Sequence, residues 1–430
     1  MRRYALGVAF LSILSFPSTP VFAETIKNLT FKEALAAADA PHPDLQMVEA
    51  DREGAVADER LTGSRQDIAV NAEGILKYGK ATADHGDWSA DNSFTLTARK
   101  NLYDFGRTSS ATEAAKFEVQ AADESVMDAR QRRRIEIMSR YFDVLLADLQ
   151  FSTLNEYMAV TYVNFDHSRD RLKVGQISQV DLAGLESGYY QLLIKRNTAQ
   201  NRQRITRALL AIAMDRPGDL AENLEDPKLQ SNNRDLPDYE TLIPVMLKNN
   251  MRLKGLEEKL AASQMRLEAI RADRKPTLDA EVQAGDFSRN ALTRNNLSAG
   301  VILNWPLYQG DRVDARIGKE QAQFHKMQAV VAKLKMDLTQ SLLETWMDVV
   351  QLQKTGRTAA QKEMDYKDWN LERARGQYDM ELKTDLGDSM AQTMEAKWHA
   401  RQNEYQLALA FARLEALVGK PLDEIQGSVK

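Results

Sequence analysis

Residues 102–107 read Leu102-Tyr103-Asp104-Phe105-Gly106-Arg107 and residues 307–312 read Leu307-Tyr308-Gln309-Gly310-Asp311-Arg312, a leucine-tyrosine turn that returns after 205 positions. The hydropathy period changes across each copy. Before the first, Phe94, Leu96, Ala98 and Leu102 alternate with Thr95, Thr97, Arg99 and Asn101, broken only by Lys100. Before the second, Leu297, Ala299, Val301, Leu303, Trp305 and Leu307 alternate with Ser298, Gly300, Asn304 and Pro306, broken only by Ile302. A period of two marks a strand with one apolar face. After the turns no proline occurs until Pro217 and Pro421 respectively, leaving room for helices far longer than the usual three turns. A strand that feeds such a helix, twice, implies two structurally equivalent halves, and the repeat is too long for a solenoid.

The rest of the chain fits this duplication. Residues 1–23 carry Arg2 and Arg3, an apolar run and Val21-Phe22-Ala23, the pattern of a secretory signal cut after Ala23. The apolar run is short of the roughly 20 residues that a membrane anchor needs. The first repeat spans 24–214. It opens on Thr30-Phe31-Lys32-Glu33, a capping box, followed by a helix over about 44–60 and a β-hairpin over 68–104, in which Ile68, Val70, Ala72, Gly74, Leu76 and Tyr78 share one face. A helix over about 108–174, on the order of 100 Å long at 1.5 Å per residue, reverses at Gly175, and Ser178 caps the returning helix to Met214. Residues 215–238, with Pro217, Pro227 and Pro237, form a linker. The second repeat spans 239–419, with one helix over 239–274, a hairpin over 277–308, a long helix from Arg312 to about Tyr378 and a returning helix to Val418. Residues 420–430 are a tail. Pro306 and Asp311 have no counterpart in the first copy, so the chain is expected to pass from strand to long helix at different angles in the two halves.

Composition excludes several functions. The chain has no cysteine, hence neither a disulfide framework nor a lipidated terminus. A mean hydropathy of -0.47 does not fit a helical membrane protein. The net charge of -5 gives no support to nucleic-acid binding, and Arg132-Arg133-Arg134 reads as a solvated helix face. His42, His85, His167, His325 and His399 are scattered without ligand spacing and read as surface residues, and neither a phosphate loop nor a nucleophile elbow occurs. Neither a metal, a cofactor nor an enzymatic activity is expected.

Four alternating strands of about eleven residues have the length and pattern of transmembrane β-strands. An open sheet edge is not tolerated in lipid, and four strands are too few to close a barrel. The chain is therefore expected to oligomerise. A soluble, half-buried sheet on a periplasmic coiled-coil scaffold or adaptor is the alternative. Trp88 and Trp305, near strand ends, fit either interfacial aromatics or ordinary packing.

The duplicated hairpin-plus-long-helix layout, from Thr30-Phe31-Lys32-Glu33-Ala34-Leu35 to Leu414-Glu415-Ala416-Leu417-Val418-Gly419, resembles the TolC-type outer membrane efflux protein family over essentially the whole mature chain. The resemblance implies a mainly α fold with a small β part, in which duplicated helical hairpins form an α-barrel and four strands per chain complete a 12-stranded barrel in a homotrimer. It further implies an outer-membrane exit duct with a periplasmic tunnel, embedded in outer-membrane lipid. Such a duct passively conducts substrate for a tripartite efflux or type I secretion system, with a periplasmic adaptor and an inner-membrane transporter as partners.

The same resemblance assigns residues. Asp385 and Asp388, followed by Glu395-Ala396, match the acidic ring at the periplasmic aperture; i and i+3 are neighbours on a helix, and threefold repetition would gather six carboxylates that invite cations. Asp181 and Tyr378 match a closed-state latch, a tyrosine–carboxylate hydrogen bond of about 1.5–3 kcal/mol if charge-assisted. Val174, Gly175 and Gln176 match the first adaptor-docking tip, and Met380 and Glu381 stand at the second, where the family usually has glycine.

Overall fold

The computed structural model describes residues 28–80, 88–219, 221–289, 294–380, 382 and 385–427. The expected signal segment and Glu381 lie outside these. Helix α1 (Pro43–Gly63) starts with proline at its first position, where no N–H is needed, and His42 accepts from the Asp44 N–H as its cap. His42 is thus a capping residue with a side chain only 12% exposed, and not the surface histidine expected. Strands β1 (Ile68–Ile75) and β2 (Ser93–Tyr103) form the first hairpin. From it descends α2 (Arg107–Lys173), 67 residues without a break, and α3 (Gln179–Ala213) returns along it. The second repeat begins with α4 (Tyr239–Asn249) and α5 (Met251–Arg271). One helix was expected here. Asn250 divides it with extended backbone (ψ 122°), its side chain accepting from the Leu253 N–H and donating to the Leu417 carbonyl. Strands β3 (Thr277–Phe287) and β4 (Leu297–Asn304) follow, then α6 (Arg312–Val350), a π-turn over Gln351–Gly356, α7 (Arg357–Asp379), α8 (Leu386–Val418) and the short α9 (Leu422–Gly427).

The four strands make one antiparallel sheet in the order β1-β2-β3-β4. Its register sorts the side chains cleanly. Val70, Ala98, Val282 and Ala299 form one cross-strand row, and Ala72, Leu96, Ala284 and Leu297 another on the same face. The opposite face carries Asn71, Thr97, Gln283 and Ser298, and the row containing the Arg99–Glu281 ion pair. A single bulge between Asn101 and Tyr103 lets Leu102 out of register. The apolar face is uncovered: Ile68 is 62% and Leu297 71% exposed. No helix among the described residues is long and apolar enough to cross a membrane.

The two strand-to-helix junctions differ in length and in capping. Three residues, 104–106, separate β2 from α2, where Gly106 takes φ 90° and the Asp104 carboxylate accepts from the Thr108 N–H. Seven residues, 305–311, separate β4 from α6; Gly310 takes φ 63° and the Asp311 side chain makes no cap. Asp273, just before β3, ties the two together, paired with Arg107 at the head of α2 (2.6 Å) and Arg316 in α6 (3.6 Å).

Midway down the helices lie two apolar cores. In one, Ile137, Tyr141, Phe142 and Leu145 of α2 pack on Leu29, Ala34, Leu210 and Tyr405. Phe142 stacks on Tyr405 at 4.5 Å, and the Tyr405 hydroxyl donates to Asp226 at 2.8 Å. In the other, Leu242, Met246, Leu338, Leu342, Phe411 and Leu414 meet. The 215–238 segment lies against these cores: residues 223–224 pair in parallel with 28–29, and Trp346 donates to the Pro237 carbonyl at 3.0 Å. The arginine triplet is not one solvated face. Arg132 and Arg134 are exposed, but Arg133 is 6% exposed and donates to the Ala37 carbonyl, because a helix turns about 100° per residue and carries the middle of three neighbours inward.

Candidate functional site at the helix-hairpin ends

Both helix hairpins end far from the sheet. At the first, the Gln176 N–H reaches the Arg171 carbonyl and the Gly175 N–H reaches Leu172, with Gly175 at φ 73°, the left-handed closure that glycine adopts at no steric cost. Val174 is 69% exposed beside exposed Gln176. At the second, the Leu382 N–H reaches the Gln377 carbonyl, a hydrogen bond of the same span as that from Gln176 to Arg171. Met380 is 63% exposed, and Leu382 is also exposed. Each end thus presents bare apolar side chains to water.

The returning helices start differently. Ser178 caps α3: its hydroxyl accepts from the Asp181 N–H at 3.1 Å, and the Asp181 carboxylate takes the Ser178 N–H (3.1 Å) and hydroxyl (2.7 Å). These bonds hold the Asp181 carboxyl below its ordinary range. Tyr378, its expected latch partner, is exposed on α7 and makes no such bond within the chain among the described residues. In α8 the equivalent positions are Asp385, at the N-cap without a side-chain cap, and Asp388. Asp385 is exposed and Asp388 half-buried. Both carboxylates sit in the first turn, where the helix dipole favours negative charge.

Around Asp388 lies a set of residues of which sequence alone singles out only Glu395. Gln392 donates to Asp388 Oδ2 at 2.6 Å, and Lys367 of α7 donates to Gln392 Oε1 at 2.9 Å. Tyr157 of α2 donates to Glu395 Oε2 at 2.8 Å; burial, then that hydrogen bond and the charges of Glu395 and Asp388, push the Tyr157 hydroxyl well above its ordinary value. Gly387 sits where a Cβ would come to 2.7 Å from Val160 Cγ2, so a larger residue would have to push Val160 aside for α8 to start this close to α2. The i, i+4 spacing of Asp388 and Gln392 is visible in sequence; the contact between 157 and 395, which lie 238 positions apart, is not. No cluster of three or more potential metal ligands occurs among the described residues.

At the opposite end, aromatic residues flank the sheet. Trp88 stacks on Tyr78 (6.1 Å) beyond β1, while Tyr103 meets Phe105 edge-on (4.6 Å) at the foot of β2, near exposed Trp305 and Tyr308.

Residues 34–214 match the family model described as outer membrane efflux protein. The chain is similar in structure to a membrane protein from Pseudomonas aeruginosa (TM-score 0.74, 16% identity, 90% of this chain and 92% of that one covered). It is similar to the outer membrane protein VceC of Vibrio cholerae (0.72, 16%, 90% and 96%) and to the open state of the MtrE outer membrane channel of Neisseria gonorrhoeae (0.71, 14%, 91% and 89%). At such identities the likeness establishes the fold. No curated protein matches the chain by sequence.

Proposed function

The chain has the TolC-type fold of outer membrane efflux proteins and, over residues 34–214, their sequence pattern, and from that premise we infer that it is the outer-membrane exit duct of a tripartite efflux or type I secretion system. One observation carries this reading: the sheet has a largely exposed apolar face, a polar face, and outer edges on β1 and β4 that no strand covers among the described residues. Lipid suits the first, a water-filled lumen the second, and neighbouring copies the third. Three copies give a 12-stranded barrel whose helices continue as a tunnel across the periplasm.

In this reading Asp385 and Asp388 ring the periplasmic aperture. Asp181 and Tyr378, unpaired with each other within one chain, latch neighbouring hairpins in the closed state. Val174, Gly175, Gln176, Met380 and Glu381 form the ends on which a periplasmic adaptor docks, and the exposed Val174 and Met380 support this because apolar tips gain from being covered. The duct catalyses nothing; an inner-membrane transporter supplies the energy. Membrane fractionation tests the reading. The mature protein should leave the outer-membrane fraction only with detergent and behave as a trimer in light scattering. A freely soluble monomer would instead indicate a periplasmic scaffold.

A further inference from the structure

The third residue of each returning helix is an aspartate, and the two have different fates. In α3, Ser178 is a hydroxyl donor, so Asp181 closes a capping box. In α8 the cap residue is Asp385, a carboxylate where α3 has a hydroxyl, and its side chain makes no cap. The Asp385 backbone (φ -91°, ψ 15°) is not extended as that of Ser178 is, and Asp388 turns along the helix to Gln392, whose amide is fixed at its other end by the Lys367 ammonium. The platform beneath is held by the Tyr157–Glu395 bond and by the close seat of Gly387 on Val160.

We propose that Lys367 and Gln392 are positioning residues of the aperture: they draw the Asp388 carboxylate back against the α7–α8 pair and leave Asp385 as the carboxylate free to meet a passing cation. This rests on the aperture reading above. The amide is the essential part. It has a donor for the carboxylate and an acceptor for the ammonium, and it transmits the orientation set by α7 to the first turn of α8. Because α7 and α8 form one hairpin, any movement that shifts them relative to each other changes how far Asp388 reaches toward the lumen.

The test is magnesium block of single-channel current through the full-length trimer in planar bilayers. Gln392→Met preserves size and net charge but removes both hydrogen bonds. It should lower the half-blocking magnesium concentration by about tenfold, the lower end of what a hydrogen bond to a charged group is worth. Lys367→Met should do the same, and Lys367→Arg, which retains donors, should behave as the parent protein; should Gln392→Met not assemble, this pair gives the same reading. If Asp388→Ala alters block but Gln392→Met and Lys367→Met do not, the positioning role is wrong and the aperture stands. If neither Asp385→Ala nor Asp388→Ala alters block, the aperture reading falls, and the positioning role falls with it.

Discussion

Glu404 fastens the head of α7 to α8. Both its oxygens are taken by Arg357, Nε at 2.6 Å and Nη2 at 2.8 Å, and Asn232 donates a further bond at 2.9 Å. Burial alone would raise the carboxyl; the bonds from Arg357 and Asn232, with the charges of Arg357 and Arg401, outweigh it and leave Glu404 below its ordinary 4.5. A carboxyl depressed by folding contributes stability above its unfolded value, and that contribution is lost as pH falls through the folded one. Glu404→Gln should therefore cost about 2 kcal/mol at neutral pH, the scale of a charge-assisted hydrogen bond. The deficit in thermal midpoint should close once pH is well below 4.5, where the parent carboxyl is neutral as well. A deficit of the same size across that range would show that shape, not charge, is what Arg357 reads.

At the scale of elements, the alternation of apolar and polar residues located the four strands, though β1 and β4 are eight residues long instead of about eleven and end before Leu76 and Trp305; proline-free stretches located the long helices, and Ser178 and Thr30 the caps, because each is a local rule satisfied by neighbouring residues. What was not legible depends on partners far along the chain. The π-turn at Gln351–Gly356 is one case: nothing local distinguishes it from the α-helix around it, and the Asn403 side chain that lies against it, donating to the Leu352 carbonyl and filling the space a Cβ at Gly356 would need, comes from α8. The break at Asn250 is another, since it is held by a carbonyl 167 positions away. Of the site, the aspartate pair was visible but not the Lys367–Gln392 support, which needs α7 folded onto α8. The strand reading itself has a sharp consequence. Val282 and Gln283 are adjacent but on opposite faces of β3. Val282→Arg should cost about 2–4 kcal/mol at the bilayer midplane and deplete the protein from the outer membrane. Gln283→Arg should insert normally and alter conductance instead. Equal insertion of both, measured by fractionation, would remove the lipid from the apolar face.

The whole molecule is set by its two bare sheet edges. An edge of eight residues on β1 and another on β4 carry rows of N–H and C=O groups that no strand pairs among the described residues; on the exit-duct reading lipid cannot satisfy them, and the edges meet those of other copies. Because the strands of one chain are antiparallel, β4 of one copy can join β1 of the next around a ring that closes only when the count of strands fits the barrel's tilt. The absence of cysteine makes this directly measurable, since any introduced pair reports alone. Asn71 lies on the polar face of β1, and Ser298, Gly300 and Ile302 share that face on β4. Asn71→Cys combined in turn with a cysteine at 298, 300 or 302 should bridge in at least one register, since facing strand residues fall within disulfide reach. Under oxidising conditions, denaturing gels should then show covalent dimers and trimers and nothing larger. A ladder that stops at two, or that continues past three, would overturn the threefold barrel while leaving the fold of the single chain as it is.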